Sequence, residues 1–180
     1  FTWDGSNAST YNYLTASAPT ASATTLAAAP TAQPTALVFS AVTASTITTS
    51  WAAAAGAPTG YIVLRSTVSA PDTDPVAGTS YSAGNTLGNA TVAFVGSAVT
   101  TGAQTSLVDG TTYFYEVYSY NGAGAGINYL TTSPLSGSQA TTAISAPVAT
   151  AATSAATTSF TANWGAVSGA ASYLLDVSPN

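Results

Sequence analysis

The ten residues TTYFYEVYSY, at positions 111–120, decide the fold. They are rich in aromatic and β-branched side chains, which favour strands. Because successive side chains of a strand point to opposite faces of a sheet, this stretch should present two different faces. One face would carry Tyr113, Tyr115, Val117 and Ser119, and the other Phe114, Glu116, Tyr118 and Tyr120. The pattern predicts the longest strand of an antiparallel sheet.

Three shorter stretches also predict strands. Residues 45–51 alternate hydroxyl and apolar side chains, with Ile47 and Trp51 on the buried side. Residues 61–65 are β-branched and aromatic and follow a Pro-Thr-Gly turn, and residues 91–95 form a further apolar run. Short strands separated by Gly, Pro, Asn and Asp loops, without a credible helix, predict an all-β antiparallel sandwich.

An internal repeat runs through the chain. The tetrapeptide NYLT at 12–15 recurs at 128–131, and each copy is followed by Ser-containing and Pro-containing segments of similar composition. The stretch from 46 to 64 recurs from 158 to 177, with Trp and Tyr in matching places. The repeat therefore predicts several copies of one module.

The spacing of the copies predicts the domain organisation. One complete module would occupy residues 30–142. Residues 1–29 would supply the closing strands of a preceding, or partner-completed, sandwich. Residues 143–180 would supply the opening strands of a following, incomplete module, with its third strand at 173–177.

Trp51, Tyr61 and the stretch LVDGTTY that begins at Leu107 together resemble a fibronectin type III domain. The resemblance implies an immunoglobulin-like sandwich in which Trp51 packs in the core and Tyr61 lies on the third strand. The stretch, through Leu107, Gly110 and Tyr113, is similar to the tyrosine corner of the family, whose Tyr hydroxyl ties down the chain entering the sixth strand. Leu107 would fill the core beneath that Tyr.

The resemblance extends to the following module, where Trp164 and Tyr173 hold the positions of the core Trp and Tyr. Three further stretches, YIVLRS at 61–66, YSYNG at 118–122 and NYLT at 128–131, are similar to the subtype repeated in large secreted bacterial surface proteins. This resemblance implies an extracellular, cell-surface location. A long insert at 66–89, between the third and fourth strands, departs from the family pattern. Its presence leaves the geometry of that sheet edge open.

Charge is unusually scarce. Only 4% of the residues are charged, Arg65 is the single cation and the formal net charge is −5, against roughly 25% charged residues in ordinary soluble proteins. Without a basic patch, neither a nucleic acid nor an anionic membrane surface is an expected partner, and the apolar runs are too short for membrane insertion. Because free sheet edges are usually guarded by Lys or other charges, we expect the edges to be covered in the native protein.

The residue types present argue against catalysis. The sequence has no His and no Cys, so it forms neither a serine or cysteine triad nor a zinc site built on those ligands. Four of the six carboxylates sit in predicted turns or loops, and Glu116 and Asp176 are predicted on strands, facing solvent. We therefore expect no catalytic residue and no cofactor.

Two weaker signals concern ligands. Asp72 and Asp74 form the one acidic cluster and offer oxygen ligands for calcium, but the remaining ligand pattern is missing, which favours a solvated loop instead. Asn7 and Asn89 open acceptor sequons for N-glycosylation. The low charge favours a surface masked by glycans or neighbouring subunits, while abundant Ser and Thr hydroxyls are an alternative means of hydration.

Three functions fit these observations. The first is a non-catalytic building block of an extracellular bacterial filament or surface fibre, which polymerises head to tail as the closing strands of one copy complete the opening strands of the next. The second is a stalk or spacer of a large cell-surface adhesin. The third is an accessory module of a secreted polysaccharide-degrading enzyme. The expected partners are other copies of the chain or neighbouring β-sandwich modules.

Overall fold

A computed structural model describes residues 2–4, 12–14, 21–97 and 100–178. Regular structure within these residues consists of β-strands and one short 3-10 turn at Gly124–Gly126. The strands are β1 (Thr2–Asp4), β2 (Asn12–Leu14), β3 (Thr35–Ser40), β4 (Ile47–Ala52), β5 (Gly60–Ser66), β6 (Thr86–Leu87), β7 (Ala90–Ser97), β8 (Thr101–Gln104), β9 (Thr112–Asn121), β10 (Asn128–Tyr129), β11 (Leu135–Ala140), β12 (Ala149–Thr153) and β13 (Thr161–Trp164).

The strands from β3 to β11 form two antiparallel sheets. The smaller sheet has the order β3-β4-β8. The larger has the order β10-β9-β5-β7-β6, and β11 pairs with β9 from Thr112 to Val117. The predicted all-β antiparallel sandwich is thereby confirmed. The four stretches predicted as strands correspond to β4, β5, β7 and β9.

An inner core lies between the two sheets. β4 buries alternate side chains, among them Ile47 and Trp51, as its sequence pattern predicts. Tyr113, Tyr115 and Val117 of β9 face the same core, which confirms the predicted alternation of that strand. The two sheets are therefore held together by apolar side chains from alternate positions of facing strands.

A second core covers the outer face of the larger sheet. Ile62 and Leu64 of β5 and Tyr118 of β9 are fully buried in it. The insert at 66–89, whose geometry the sequence leaves open, folds over this face and contributes Leu87. β5 is consequently buried on both faces, which explains why its apolar run is continuous rather than alternating.

Reciprocal hydrogen bonds between Asp72 and Asn89 join the first part of the insert to its last residue. The backbone N–H of Asn89 donates to the Asp72 carboxylate over 2.9 Å, and the backbone N–H of Asp72 donates to Asn89 Oδ1 over 3.1 Å. The Asn89 side-chain amide also donates to Ser69 Oγ and to the Ala70 carbonyl. Gly88 has a φ of +53°, and a Cβ there would lie 1.9 Å from Asp72 Oδ1. The closure of the insert therefore requires glycine at this position.

The segment that enters the module, residues 21–34, is tied to β9 and to the 3-10 turn that follows it. The N–H of Ala27 donates to the Gly126 carbonyl over 2.8 Å. Further along, the Gln33 side chain accepts a hydrogen bond from the Ser119 N–H of β9 over 2.9 Å. The connection that precedes β3 is thus anchored at two points, by the backbone of Ala27 and by the side chain of Gln33.

Two hairpins lie outside the sandwich. β1 pairs with β2 and β12 pairs with β13, both antiparallel. The third strand predicted at 173–177 is not formed, because residues 172–178 have no regular structure, so the placement of Asp176 on a strand is also wrong. A strand is stabilised by hydrogen bonds to a neighbour, and no described strand pairs with this segment.

We predict that Gly88→Ala destabilises the module by about 2–3 kcal/mol, because it adds both left-handed backbone strain and a clash with Asp72. Gly124→Ala is a matched control, since Gly124 has a φ of +56° with nothing within 4 Å of the added Cβ. It should cost only about 1 kcal/mol. Urea unfolding followed by Trp fluorescence measures both, and equal losses would contradict the packing role of Gly88.

Candidate functional site

Trp51 and Tyr61 lie at the centre of the inner core. Their rings meet edge to face, with centroids 5.6 Å apart and planes at 73°. The Tyr61 hydroxyl accepts a hydrogen bond from the Ala54 N–H over 2.8 Å. The Tyr61 side chain therefore fills the core and also holds the turn that follows β4. We call this arrangement of the Trp ring, the Tyr ring and the hydrogen bond to the turn the Trp–Tyr clamp.

The stretch before β9 has the geometry of a tyrosine corner. The Tyr113 hydroxyl accepts a hydrogen bond from the Val108 N–H, five residues upstream, over 2.8 Å. Leu107 is buried, and Gly110 supplies a φ of +59°. The Thr141 hydroxyl donates to the Val108 carbonyl over 2.6 Å, so both backbone groups of Val108 are satisfied by side chains. This arrangement fixes how the chain enters β9.

Arg65, the single cation of the sequence, supports the same corner. Its guanidinium lies 5.3 Å from the centre of the Tyr113 ring and donates to Gln104 Oε1 over 3.1 Å. The charge thus stabilises packing between the two sheets. Tyr115 lies opposite Arg65 on the neighbouring strand β9. Burial raises the pKa of Tyr115 to about 12, so this phenol stays neutral at physiological pH.

The C-terminal hairpin reproduces the Trp–Tyr clamp. The rings of Trp164 and Tyr173 have centroids 5.7 Å apart, and the Val167 N–H donates to the Tyr173 hydroxyl over 2.7 Å. The donor follows its Trp by three residues in both copies, as Ala54 follows Trp51. Residues 143–178 therefore repeat the ring contact and the turn hydrogen bond seen in the sandwich.

The apolar side chains of this second clamp are uncovered. In the sandwich, Tyr61, Ile62 and Val63 are 2%, 0% and 0% exposed, whereas the matching Tyr173, Leu174 and Leu175 are 39%, 98% and 54% exposed. We refer to the surface formed by Trp164, Tyr173, Leu174, Leu175 and Val177 as the open face. An apolar hollow of about 130 Å³ within it is lined by Pro147, Ala149, Trp164, Tyr173, Leu174 and Leu175. The open face is the candidate functional surface.

The two carboxylates considered for calcium have separate partners. The Asp72 carboxylate binds the backbone of Asn89 and the hydroxyl of Thr73, and these hydrogen bonds hold the pKa of Asp72 below its usual value. Asp74 instead accepts a hydrogen bond from the Tyr118 hydroxyl over 2.9 Å. Among the described residues, no group of three or more acidic, His or Cys side chains could hold a metal ion. Both carboxylates are engaged in holding the insert.

Glu116 belongs to the same contact between insert and sheet. It is only partly exposed, because the insert covers its face of β9, so the prediction that it faces solvent is wrong. Its Oε2 lies 2.5 Å from the Tyr118 hydroxyl, which also contacts Asp74. A phenol has one proton and can donate to one carboxylate, so the second contact requires a proton on one of the two carboxyl groups, Glu116 or Asp74. Burial raises the pKa of Glu116, in keeping with this arrangement.

The glycosylation sequons differ in their surroundings. The Asn89 side chain is occupied by the hydrogen bonds that close the insert, so a glycan on its amide nitrogen would disrupt that closure. Asn7 lies outside the described residues.

A larger hollow, of about 430 Å³, lies beside the loops at 42–44 and 167–169 and is lined by apolar and hydroxyl side chains. Within the described residues, no helix is long and apolar enough to cross a membrane.

The two-sheet topology and the tyrosine corner define an immunoglobulin-like β-sandwich module. The family model of the fibronectin type III domain matches residues 32–134. The chain belongs to the fibronectin type III family. Domains of this family are generally non-catalytic binding or structural modules and are often extracellular.

Comparison with known proteins adds two solved structures. One is a computationally redesigned β-sandwich protein, 19% identical, with 62% of this chain and 95% of that chain covered and a TM-score of 0.44. The other is a fibronectin type III domain of human collagen XX, 24% identical, with 62% of this chain and 100% of that chain covered and a TM-score of 0.38. No curated protein matches the sequence.

We predict that Tyr113→Phe lowers the free energy of unfolding by about 1–2 kcal/mol, because it leaves the Val108 N–H without its partner. Tyr120→Phe is the control, since the Tyr120 hydroxyl makes no hydrogen bond within the described part of the chain, and it should cost less than about 0.5 kcal/mol. Urea unfolding of both variants tests this. Equal effects would contradict the anchoring role of the Tyr113 hydroxyl.

We predict that Glu116→Gln removes a contribution to the free energy of unfolding that decreases as the pH rises. Because its pKa is raised in the folded state, protonated Glu116 contributes stability that is fully present below the ordinary Glu pKa of about 4.3 and is lost as the pH rises through the folded value. The difference in unfolding free energy, wild type minus variant, should therefore fall as the pH rises above about 4. A difference that stays constant with pH would contradict the raised pKa of Glu116.

Asp72→Asn serves as the control of opposite sign. The pKa of Asp72 is lowered by its hydrogen bonds, so its contribution is present above the ordinary Asp pKa and is lost as the pH falls through the folded value. The same urea titrations should show the two variants diverging from the wild type at opposite ends of the pH range.

Proposed function

We propose that this chain is a non-catalytic structural building block of an extracellular bacterial filament or surface fibre. In this proposal one complete module, residues 30–142, is flanked by two partial modules, residues 1–29 and 143–180. Copies join head to tail by β-strand addition between partial modules. Because such a contact joins two different surfaces, it propagates into a fibre instead of closing into a dimer.

The exposure of the open face is the observation that carries the proposal. Leu174 and Leu175 occupy positions whose counterparts, Ile62 and Val63, are completely buried in the sandwich. Burying a side chain of this size is worth roughly 1.5–3 kcal/mol. A contiguous apolar surface of this kind is typical of a surface that binds another protein segment.

The charge distribution supports the same function. Residues 172–175 carry no charge, and Arg65, the single cation, is engaged within the sandwich. Edges without charged side chains are poorly protected against pairing with another chain. In a fibre subunit this property is useful, because edge pairing is the means of assembly.

A stalk or spacer of a cell-surface adhesin is the second candidate. It is favoured by the anchoring of residues 21–34, where Ala27 hydrogen-bonds to the turn after β9 and Gln33 hydrogen-bonds to β9 itself. A connection held in this way would transmit force between consecutive modules of one continuous chain. In that arrangement the following strands of the same polypeptide would cover the open face.

We predict that Leu174→Ser reduces self-association of the isolated chain. Leu174 is 98% exposed, so the substitution removes apolar area from the open face with little effect on folding. Val68→Ser is the matched control, because Val68 is also largely exposed but lies in the insert. Light scattering and negative-stain electron microscopy should show fibres of wild type and Val68→Ser, and shorter or no fibres of Leu174→Ser. A monodisperse wild-type monomer would contradict the fibre proposal and favour the stalk.

A further inference from the structure

The complete module contains a hairpin that closes its larger sheet. β9 and β10 pair through Asn121 opposite Asn128 and Tyr120 opposite Tyr129. The same end of β9 also pairs with β5 on its other side. This hairpin therefore covers the edge of the strand that carries Tyr61, the Tyr of the Trp–Tyr clamp.

The N-terminal hairpin has the same register. β1 and β2 pair through Asp4 opposite Asn12 and Trp3 opposite Tyr13. Since the Asn-Tyr pair of β2 repeats that of β10 within the NYLT tetrapeptide, β1 corresponds to the last residues of β9. The sequence alone does not reveal this equivalence, because β1 and the end of β9 both carry an aromatic residue but have no identical residue at the three matched positions.

The pairing of β9 with β5 then fixes a register for the open face. Ser119 lies opposite Tyr61, and Tyr120 lies opposite Gly60. Thr2 is the counterpart of Ser119, and Tyr173 is the counterpart of Tyr61. An added hairpin that follows this template would place Thr2 opposite Tyr173. Because the strands are antiparallel, it would also place Trp3, which follows Thr2, opposite Ser172, which precedes Tyr173.

We propose, on the basis of the proposed function, that the β1–β2 hairpin of a second copy adds to the edge of the open face in this register. The contact continues an interface that the chain already makes once, between β5 and the β9–β10 hairpin. Residues 172–175 have unpaired backbone groups available and present no charge to repel a strand. Addition of the hairpin would order the segment predicted as a third strand and shield its apolar side chains.

Engineered disulfides test the register, and the absence of Cys from the sequence makes the test free of background. One step further along the template, Thr59 lies beside Asn121, joined by a hydrogen bond of 3.0 Å. The corresponding residues are Ala171 and Asp4. A chain with Asp4→Cys is mixed with a chain with Ala171→Cys under mild oxidation, because residues opposite each other on paired strands are within disulfide reach.

We expect a disulfide-linked dimer on non-reducing gels, formed at least about tenfold faster than in a mixture of Asp4→Cys with Ala170→Cys, whose side chain would point to the other face of the strand. Equal rates in the two mixtures would overturn the register. A double variant, Asp4→Cys with Ala171→Cys, should give a ladder of multimers. Conversion of that double variant to an internally cross-linked monomer would overturn addition between copies.

The result also separates this inference from the function on which it rests. Fibres of wild type without a cross-link between Asp4→Cys and Ala171→Cys would overturn the hairpin register while leaving the fibre function standing. Absence of both fibres and cross-links would overturn both.

Discussion

The pairing of β5 with β9 is the interaction on which the rest of the structure depends. Seven consecutive residues of β5, from Gly60 to Ser66, lie opposite β9, and six of them are buried. Because side chains alternate along both strands, the pair supplies the inner core on one side and the outer core on the other. The smaller sheet packs against the first face, and the insert packs against the second. Both layers therefore depend on one central ladder.

Charge is used sparingly and locally. The guanidinium of Arg65 stabilises the tyrosine corner, and the acidic groups of Asp74 and Glu116 meet across the hydroxyl of Tyr118. The second contact joins the insert to the sheet through the Tyr118 hydroxyl. These groups hold parts of the sandwich together, and the small number of charges leaves the surface weakly protected against association.

The C-terminal segment shows what local contacts alone can order. The second Trp–Tyr clamp forms with nearly the same ring separation as the first, although Trp164 and Tyr173 are each more than a third exposed. A hydrogen bond across six residues and one ring contact are enough to set this turn. They are not enough to order the next strand, because a strand requires a neighbour. The gap between a formed clamp and an unformed strand is the physical basis of the open face.

Much of the fold could be predicted from the sequence, because the deciding signals are local. Alternation indicated β4 and β9, and β-branched or apolar runs indicated β5 and β7. The Leu107–Tyr113 stretch indicated the corner that the Val108–Tyr113 hydrogen bond forms. Only the tertiary structure decided where the insert at 66–89 lies, since a loop of that length has no periodic pattern and is positioned by the apolar face it covers. That placement buries part of Glu116, which its position on the strand could not reveal. The register shared by β1 and the end of β9 was likewise decided by pairing, because backbone hydrogen bonds align strands that differ in side chains.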